Sequence, residues 1–390
     1  MTTIYLIRHA EAEGNLYRRS QGQYDANITA LGRAQIGALA ERFRQVPIHA
    51  LWSSDLNRAC STATAILKYH PELTIHTSPQ LREVCMGVWE DMPWGNIERD
   101  YREQMGLFSN DPARWAVPGS ERYEAVIARM KAAILALGAA WEGKTVAAVS
   151  HGFAIRALLC DLLGIPSAEF HRLPYGDNTA VARLRVEHGA ITVEEYNDNQ
   201  HLAGGLSTFA RQQWWRQKHG DEKEYFVFDP LEPARESELY SRCYAETWRA
   251  SHGDLAGYNP AVYLSVAQAH TRKDPRCLMK LLQGEREEFV GLIELDPARG
   301  AEEGAGWISL LYVAPERRER RLGIQLVGHG VSYFRRAGRK SIRLHVSQTN
   351  EAALGFYRHN GFRAVEEVQG VGGKLWLMEL DITQRLWTLE

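Results

Sequence analysis

Residues 4–9, Ile-Tyr-Leu-Ile-Arg-His, constrain the chain more than any other stretch. An apolar run leads without a break into a guanidinium and an imidazole. Such a run reads as a buried strand, and α/β folds place their chemistry beyond the carboxyl ends of such strands. Imidazole can act as a nucleophile, and guanidinium suits phosphate oxygens. The context recurs where Val146 to Val149 run into Ser150-His151-Gly152, before a helix over Phe153 to Leu163 closed by Gly164 and Pro166.

Between these strands, Thr29 is placed to cap a helix through Phe43. Ile48 to Trp52 form a second apolar run, ending in Ser53-Ser54-Asp55. The helix that follows carries Ala59, Ala63, Ile66 and Leu67 on one face and Arg58 in its first turn. A helix N-terminus favours an anion, although an arginine there is equally compatible with a surface position. Glu83 lies among apolar neighbours in Leu81 to Glu90. Partial burial would raise its pKa and let it hold a proton near neutral pH; an edge-strand glutamate without a role is the other reading. Residues 101–123 look like a mixed insertion, and Glu124 to Leu137 an amphipathic helix.

A length of 390 residues predicts two domains. The net charge of −2 argues against a general nucleic-acid partner. Five scattered cysteines, without a CxxC pair or zinc spacing, fit a reducing compartment. Neither a signal-peptide pattern nor a membrane-length apolar run is present, so a cytoplasmic protein with no membrane partner is expected.

Val181 to Val186 and Ala190 to Tyr196 read as a hairpin, after which periodicity is lost. The expected division is residues 1–200, a linker over 201–222, and a second domain over 223–390. Trp214-Trp215 are unusual for a linker, since tryptophan seeks burial. In the second domain, strands are expected at Tyr225 to Phe228, Phe289 to Leu295, Trp307 to Val313 and Ser341 to Val346. Helices are expected from Ser237 to Arg249, from Gly323 to Arg336, and from Asn350 through Tyr357 to a stop at Gly361-Phe362. The arginines of residues 315–323 lie between a strand and a helix. That place suits a polyanion such as pyrophosphate, a solvated basic loop being the alternative.

Taken in order, Arg8-His9, Asn15, the Gly22/Asp25/Thr29/Gly32/Gln35 pattern, Ser53-Ser54 with Arg58, Leu81-Arg82-Glu83 with Gly87 and Trp89-Glu90, and Ser150-His151-Gly152 resemble the histidine phosphatase superfamily, the phosphoglycerate-mutase-like group, in its compact phosphatase branch. Two departures are Ala10, where glycine is usual, and Gly119-Ser120-Glu121, where many members have Gly-Glu-Ser. The resemblance implies a three-layer α/β/α domain and a metal-independent phosphomonoesterase acting on a small phosphorylated metabolite. His9 would form a phosphohistidine. Arg8, Asn15, Arg58 and His151 would hold the phosphate, and Glu83 would move the proton. A phosphoglycerate-type mutase is the alternative.

The second half resembles the GNAT-type N-acetyltransferases. Leu311-Tyr312-Val313 with Pro315-Glu316 matches the splayed fourth strand, and Asn350, Ala353, Phe356-Tyr357 and Gly361-Phe362 match the later motif. The pyrophosphate loop aligns on Arg318-Glu319-Arg320-Arg321-Leu322-Gly323, with Arg321 where the family has its first glycine. This implies an α+β domain with a mixed, mostly antiparallel sheet that takes acetyl-CoA and an amine-bearing acceptor. Tyr312, Val313, Arg318, Arg320, Arg321, Gly323 and Asn350 would contact acetyl-CoA, and Tyr357 would protonate the departing thiolate. The alternative is an acetyl-CoA-sensing module without turnover.

Overall fold

The structure, a computed structural model, describes residues 1–212, 225–371 and 373–388. Trp214 and Trp215 lie outside the described residues. Residues 1–212 and 384–388 belong to one compact unit, and 225–371 with 373–383 to another.

The first unit runs β1 (Thr2–Arg8), α1 (Glu13–Leu16), α2 (Ala30–Phe43), β2 (Ala50–Ser53), α3 (Asn57–Leu67), β3 (Ile75–Thr77), α4 (Trp94–Asp100), α5 (Arg102–Asn110), α6 (Tyr123–Ala140), β4 (Thr145–Ser150), α7 (Gly152–Leu162), β5 (Val181–Glu187), β6 (Ala190–Asp198) and α8 (Thr208–Arg211). Its sheet has the order β3-β2-β4-β1-β5-β6. The apolar runs form its centre because helices cover both faces. Ile4, Leu6, Val146 and Ala148 pack with Val126, Met130 and Ile134 of α6 and Ala154 and Leu158 of α7. Ile7, Leu51, Ala147 and Val149 pack with Ile36 and Leu39 of α2 and Ala63 and Ile66 of α3. This is the expected three-layer arrangement. β1 and β4 are parallel neighbours with Arg8 opposite Ser150. That register brings the residues after each strand, His9 and His151, side by side.

Two expectations need correction. Leu81 to Glu90 contains no strand; 3₁₀ turns occupy Pro79–Leu81 and Gly87–Trp89, because Pro79 starts one turn and Gly87, at φ +56°, prevents extension. The first part of the expected linker belongs to the first unit. Ser207 caps α8 by accepting from Ala210 N, and Gln35 Nε2 donates to Leu206 O and Thr208 Oγ1. Residues 384–388 also lie on this unit: Gln384 Nε2 donates to Asp25 O, Asn57 Nδ2 to Arg385 O, and Trp387 N to Ser61 Oγ.

The second unit runs β7 (Phe226–Pro230), α9 (Ser237–His252), α10 (Pro260–Lys273), β8 (Leu278–Gln283), β9 (Glu288–Asp296), β10 (Ala305–Val313), α11 (Gly323–Arg336), β11 (Ser341–Ser347), α12 (Glu351–His359), β12 (Arg363–Gly370) and β13 (Gly373–Asp381). The sheet order is β12-β13-β11-β10-β9-β8-β7. Among the described residues of this unit, only β10 and β11 pair in parallel. One face packs on α9 and α10 through Tyr240, Cys243, Ala267, Leu292, Leu310 and Tyr312. β10 and β11 pair only from Ala305–Ser341 to Trp307–Arg343 and then separate. A bulge between Ile308 and Leu310 lies just past that point. The resulting split leaves the edge of β10 from Ile308 onward without a strand partner on the β11 side. Among the described residues no helix is long and apolar enough to cross a membrane.

Candidate functional sites

In the first unit the two strand ends bring His9 and His151 to a ring separation of 5.2 Å. His9 is 4% exposed and His151 fully buried. His9 Nδ1 lies 2.7 Å from Ala10 O. A carbonyl only accepts, so Nδ1 carries the proton and Nε2 keeps its lone pair. Burial, then the charges of Arg58 and Arg8, hold the His9 imidazole well below its usual pKa. His151 is lowered too, by burial first and then by Arg58, His9, Arg129 and Arg8. Both rings are therefore neutral near pH 7, the state a nucleophile requires.

Arg58 is fully buried in the first turn of α3. Its Nη1 donates to Tyr24 O and its Nη2 to Gly22 O, which fixes the guanidinium and leaves Nε unpartnered. Arg8 Nη1 donates to Gly176 O, and its Nε is likewise unpartnered. A Cβ on Gly152 would lie 3.1 Å from Arg8 Nε, so the glycine after His151 lets this guanidinium reach the start of α7. Neither nitrogen of the buried His151 ring has a partner. Buried donors without partners are costly. Here they lie around the His9 ring, with His151 5.2 Å from it and the charges of Arg58 and Arg8 acting on it, an arrangement a bound phosphoryl group would satisfy.

Asn15 Oδ1 accepts from Ala12 N and Gln21 Nε2, leaving its Nδ2 without a partner among the described residues. Glu83 occupies the N-terminus of α7. Its Oε1 accepts from Ala154 N and Val84 N, and its Oε2 from Phe153 N. The helix end immediately after His151 thus holds the carboxylate beside the imidazole.

In the second unit, α11 starts at Gly323 with no side chain capping its N-terminal N–H groups. Arg318, Arg320 and Arg321 are exposed just before it, and Arg318 Nε donates to Val313 O. Arg321 has φ +57° and Glu319 φ +63°. The left-handed turn that a glycine would adopt freely is therefore kept, with arginine in it. A Cβ on Gly323 would meet the Phe356 ring at 3.0 Å, so a larger residue there would have to push that ring aside by a few tenths of an ångström. Uncapped N–H groups and exposed arginines at the open end of a strand split fit the pyrophosphate and pantetheine of acetyl-CoA. Two expected contacts are otherwise engaged: Asn350 Oδ1 caps α12 by accepting from Ala353 N, and the Tyr312 hydroxyl donates to Glu246 Oε2. Tyr357 is buried between Phe356 and Phe362. Its hydroxyl has no hydrogen bond among the described residues, and burial pushes its pKa up.

A family description, the histidine phosphatase superfamily (branch 1), matches residues 4–199. The chain belongs to this superfamily. The acetyltransferase (GNAT) family matches residues 235–362, so the second unit is a GNAT domain. Similar curated proteins are the probable phosphoglycerate mutase GpmB of Proteus mirabilis, 33% identical over 205 residues, and that of Yersinia pestis, 35% identical over 208. Each alignment covers 53% of this chain and 90% of the relative. Among solved structures, Bacillus stearothermophilus YhfR is 29% identical, with a TM-score of 0.50 over 52% of this chain and 100% of that one.

Several residues that support the phosphatase-family site are not evident from sequence. Arg129 on α6 donates to the carbonyls of Gln80, Arg82 and Glu83 and to both carboxylate oxygens of Glu121. Glu121 is the departure from the Gly-Glu-Ser pattern, and its acidic group is spent on this clamp. Asp177, 3% exposed, accepts from Asn178 N, Ser207 Oγ and Phe209 N and is a counter-charge to Arg8. Asn178 Nδ2 holds His9 O. Phe209 stacks 5.5 Å from the Arg8 guanidinium, and Gln212 donates to Glu11. The Gly-Asp-Asn-Thr run at residues 176–179 was the available signal, because polar residues next to a buried strand need an explanation.

Proposed function

We propose that the first unit is a metal-independent phosphomonoesterase acting through a phosphohistidine on a small phosphorylated metabolite. The observation that carries this is the His9 tautomer, with Nδ1–H committed to Ala10 O, in a site where the Nε atoms of Arg8 and Arg58 and both ring nitrogens of His151 have no partner. Nε2 attacks phosphorus, the P–O ester bond breaks, and the alcohol leaves with a proton delivered from Glu83. Water then attacks the phosphohistidine, Glu83 takes its proton, and inorganic phosphate departs. Arg8, Arg58 and His151 offset the charge on the phosphoryl oxygens, with Asn15 Nδ2 as a neutral donor. Rapid-quench labelling that locates phosphate on His9, together with turnover in EDTA, tests this reading.

The similarity to probable phosphoglycerate mutases raises a mutase reading, which needs a second phosphate anchor. The arginines that border the Glu83 loop do not favour it. Arg82 is a bidentate partner of Asp55, and Arg129 is consumed by Glu121 and backbone carbonyls.

For the second unit we propose acetyl-CoA-dependent transfer to an amine. When bound, acetyl-CoA supplies the activated acyl group. Arg318, Arg320, Arg321 and the N–H groups from Gly323 would hold its pyrophosphate, Tyr312 and Val313 would line its pantetheine, and Tyr357 would hold a proton for the sulfur. Measuring acetyl-CoA binding and its turnover separately distinguishes this from a sensing module. A cytoplasmic location fits both activities.

A further inference from the structure

We propose that the acetyl acceptor of the second unit is an α-amino acid, and that Arg299, laid on the indole of Trp307, binds its carboxylate. This rests on the acetyl-transfer reading above.

The Arg299 guanidinium carbon lies 3.5 Å from the Trp307 ring centroid. Trp307 is the last residue of β10 still paired with β11 before the strands separate, and its ring also makes a T-shaped contact with His345 of β11, the ring centroids 5.0 Å apart. The stacked guanidinium therefore sits at the apex of the split, where the reacting end of an acyl donor would lie. It has no hydrogen bond or ion pair among the described residues. That sets it apart from Arg276, Arg317 and Arg343, each of which pairs with a carboxylate. A carboxylate is nearby in sequence, but Asp296 Oδ1 is taken by the N–H groups of Ala298 and Arg299 itself. Stacking on an aromatic ring leaves the planar donor fork open at its edges, and that fork matches a carboxylate in two parallel hydrogen bonds.

Opposite charge lies on the same face. Leu292, Glu294 and Asp296 alternate along β9, and Leu292 belongs to the cluster under α9 and α10. Glu294 stands opposite Leu310, beside the bulge, and Asp296 opposite Trp307. Glu294 is 2% exposed and accepts from the Tyr240 hydroxyl at 2.9 Å. His270 lies between the two carboxylates, 3.7 Å from each. Tyr244 feels the charges of both Glu294 and Arg299, so the acidic and basic groups share one neighbourhood. An ammonium suits the Glu294/Asp296 side, and a carboxylate suits Arg299. A simple amine leaves the guanidinium unanswered, and a polyamine meets it with like charge.

The experiment is calorimetry on the full chain with coenzyme A present, titrating the proteinogenic L-amino acids and matched decarboxylated amines: serine with ethanolamine, phenylalanine with phenethylamine, histidine with histamine, lysine with cadaverine. At least one amino acid is expected to bind roughly 10- to 100-fold more tightly than its amine, the loss expected for a charge-assisted bidentate pair. Arg299→Ala should remove that advantage. It should leave the affinities for amines and acetyl-CoA within about twofold, the latter serving as the control for folding, and Arg299→Lys should recover only part. Equal binding of acid and amine, unchanged binding in Arg299→Ala, or no amino acid binding at all overturns the proposal. Arg299-dependent binding without any acetylation by acetyl-CoA upholds the site and refutes acetyl transfer instead.

Discussion

Arg129 Nη2 donates to the carbonyl oxygen of Glu83 at 3.0 Å, while Nη1 of the same guanidinium reaches the carbonyls of Gln80 and Arg82. The loop that aims Glu83 at the start of α7 is thus fastened by a residue that does not itself face the phosphate donors. Arg129→Gln is expected to lower kcat on alkyl phosphates by roughly 10- to 100-fold with little change in KM, the scale of a small misplacement of a reacting group. p-Nitrophenyl phosphate should suffer less. Arg129→Lys should not restore activity, because an ammonium cannot reproduce a planar fork. Equal losses on both substrates would contradict a positioning role.

Glu83→Gln should reduce turnover of poor leaving groups about 10²–10⁴-fold, with a smaller loss for p-nitrophenyl phosphate. The amide keeps one acceptor oxygen but sets its NH2 either against the Phe153 N–H or against the Ala154 and Val84 N–H groups. A drop in melting temperature should therefore accompany the kinetic change. Only the leaving-group contrast reports proton transfer.

His9→Ala should abolish phosphatase turnover and the acid-labile phosphoryl label. Vanadate binding should persist, weakened, because Arg8, Arg58 and His151 remain. Residual turnover above background would remove His9 from the reaction.

Low pH should destabilise the first unit. His9 and His151 have folded pKa values below their unfolded ones. Between the two values the unfolded chain binds more protons than the folded one, so stability rises with pH. The two histidines therefore cost nothing above about pH 6.5 and destabilise progressively below it, by up to about 1.4 kcal/mol per pH unit each. Denaturant titrations between pH 7.5 and 5.5 should show the decline, and a His9→Asn, His151→Asn variant a flatter curve.

In the second unit, Arg321→Gly should weaken acetyl-CoA binding by no more than a few-fold: it removes one of the three arginines proposed for the pyrophosphate, but relaxes a left-handed residue and leaves Arg318, Arg320 and the helix N–H groups in place. Arg321→Val should weaken binding strongly, because a β-branched residue at positive φ is an outlier. Calorimetry with acetyl-CoA distinguishes the two. Similar affinities for both variants would mean that this turn does not shape the pyrophosphate site.

Much of this was legible in the sequence because it follows from local rules. The run into Arg8-His9 formed β1, Thr29 capped α2, and the Asn350 helix began where expected. Long-range hydrogen bonds were not legible. Arg129 reaches Glu83 across 46 residues, and Gln35 reaches Thr208 across 173; neither leaves a periodic trace. Residues 206–212 looked like linker because side-chain hydrogen bonds hold them, not an apolar stripe. α10 went unrecognised for a related reason: Ala267 is its one fully buried residue, so its hydrophobic pattern is faint. Arg321 stands in sequence as a departure from glycine, and only the backbone shows that it keeps the left-handed φ of +57°, because sequence gives residue type but not φ.

Residues 384–388 seat on the turn that precedes Arg58, with Trp387 packed beside the α2 and α3 core. The first unit is consequently discontinuous along the chain, and the GNAT domain is topologically an insertion within it. During synthesis the N-terminal part emerges first, yet its last stabilising segment arrives only after the whole inserted domain has been made. Nascent chains halted near residue 380 should carry a phosphatase unit that opens more readily to protease than the released protein does. Residues 384–388 added in trans as a synthetic peptide should close that difference.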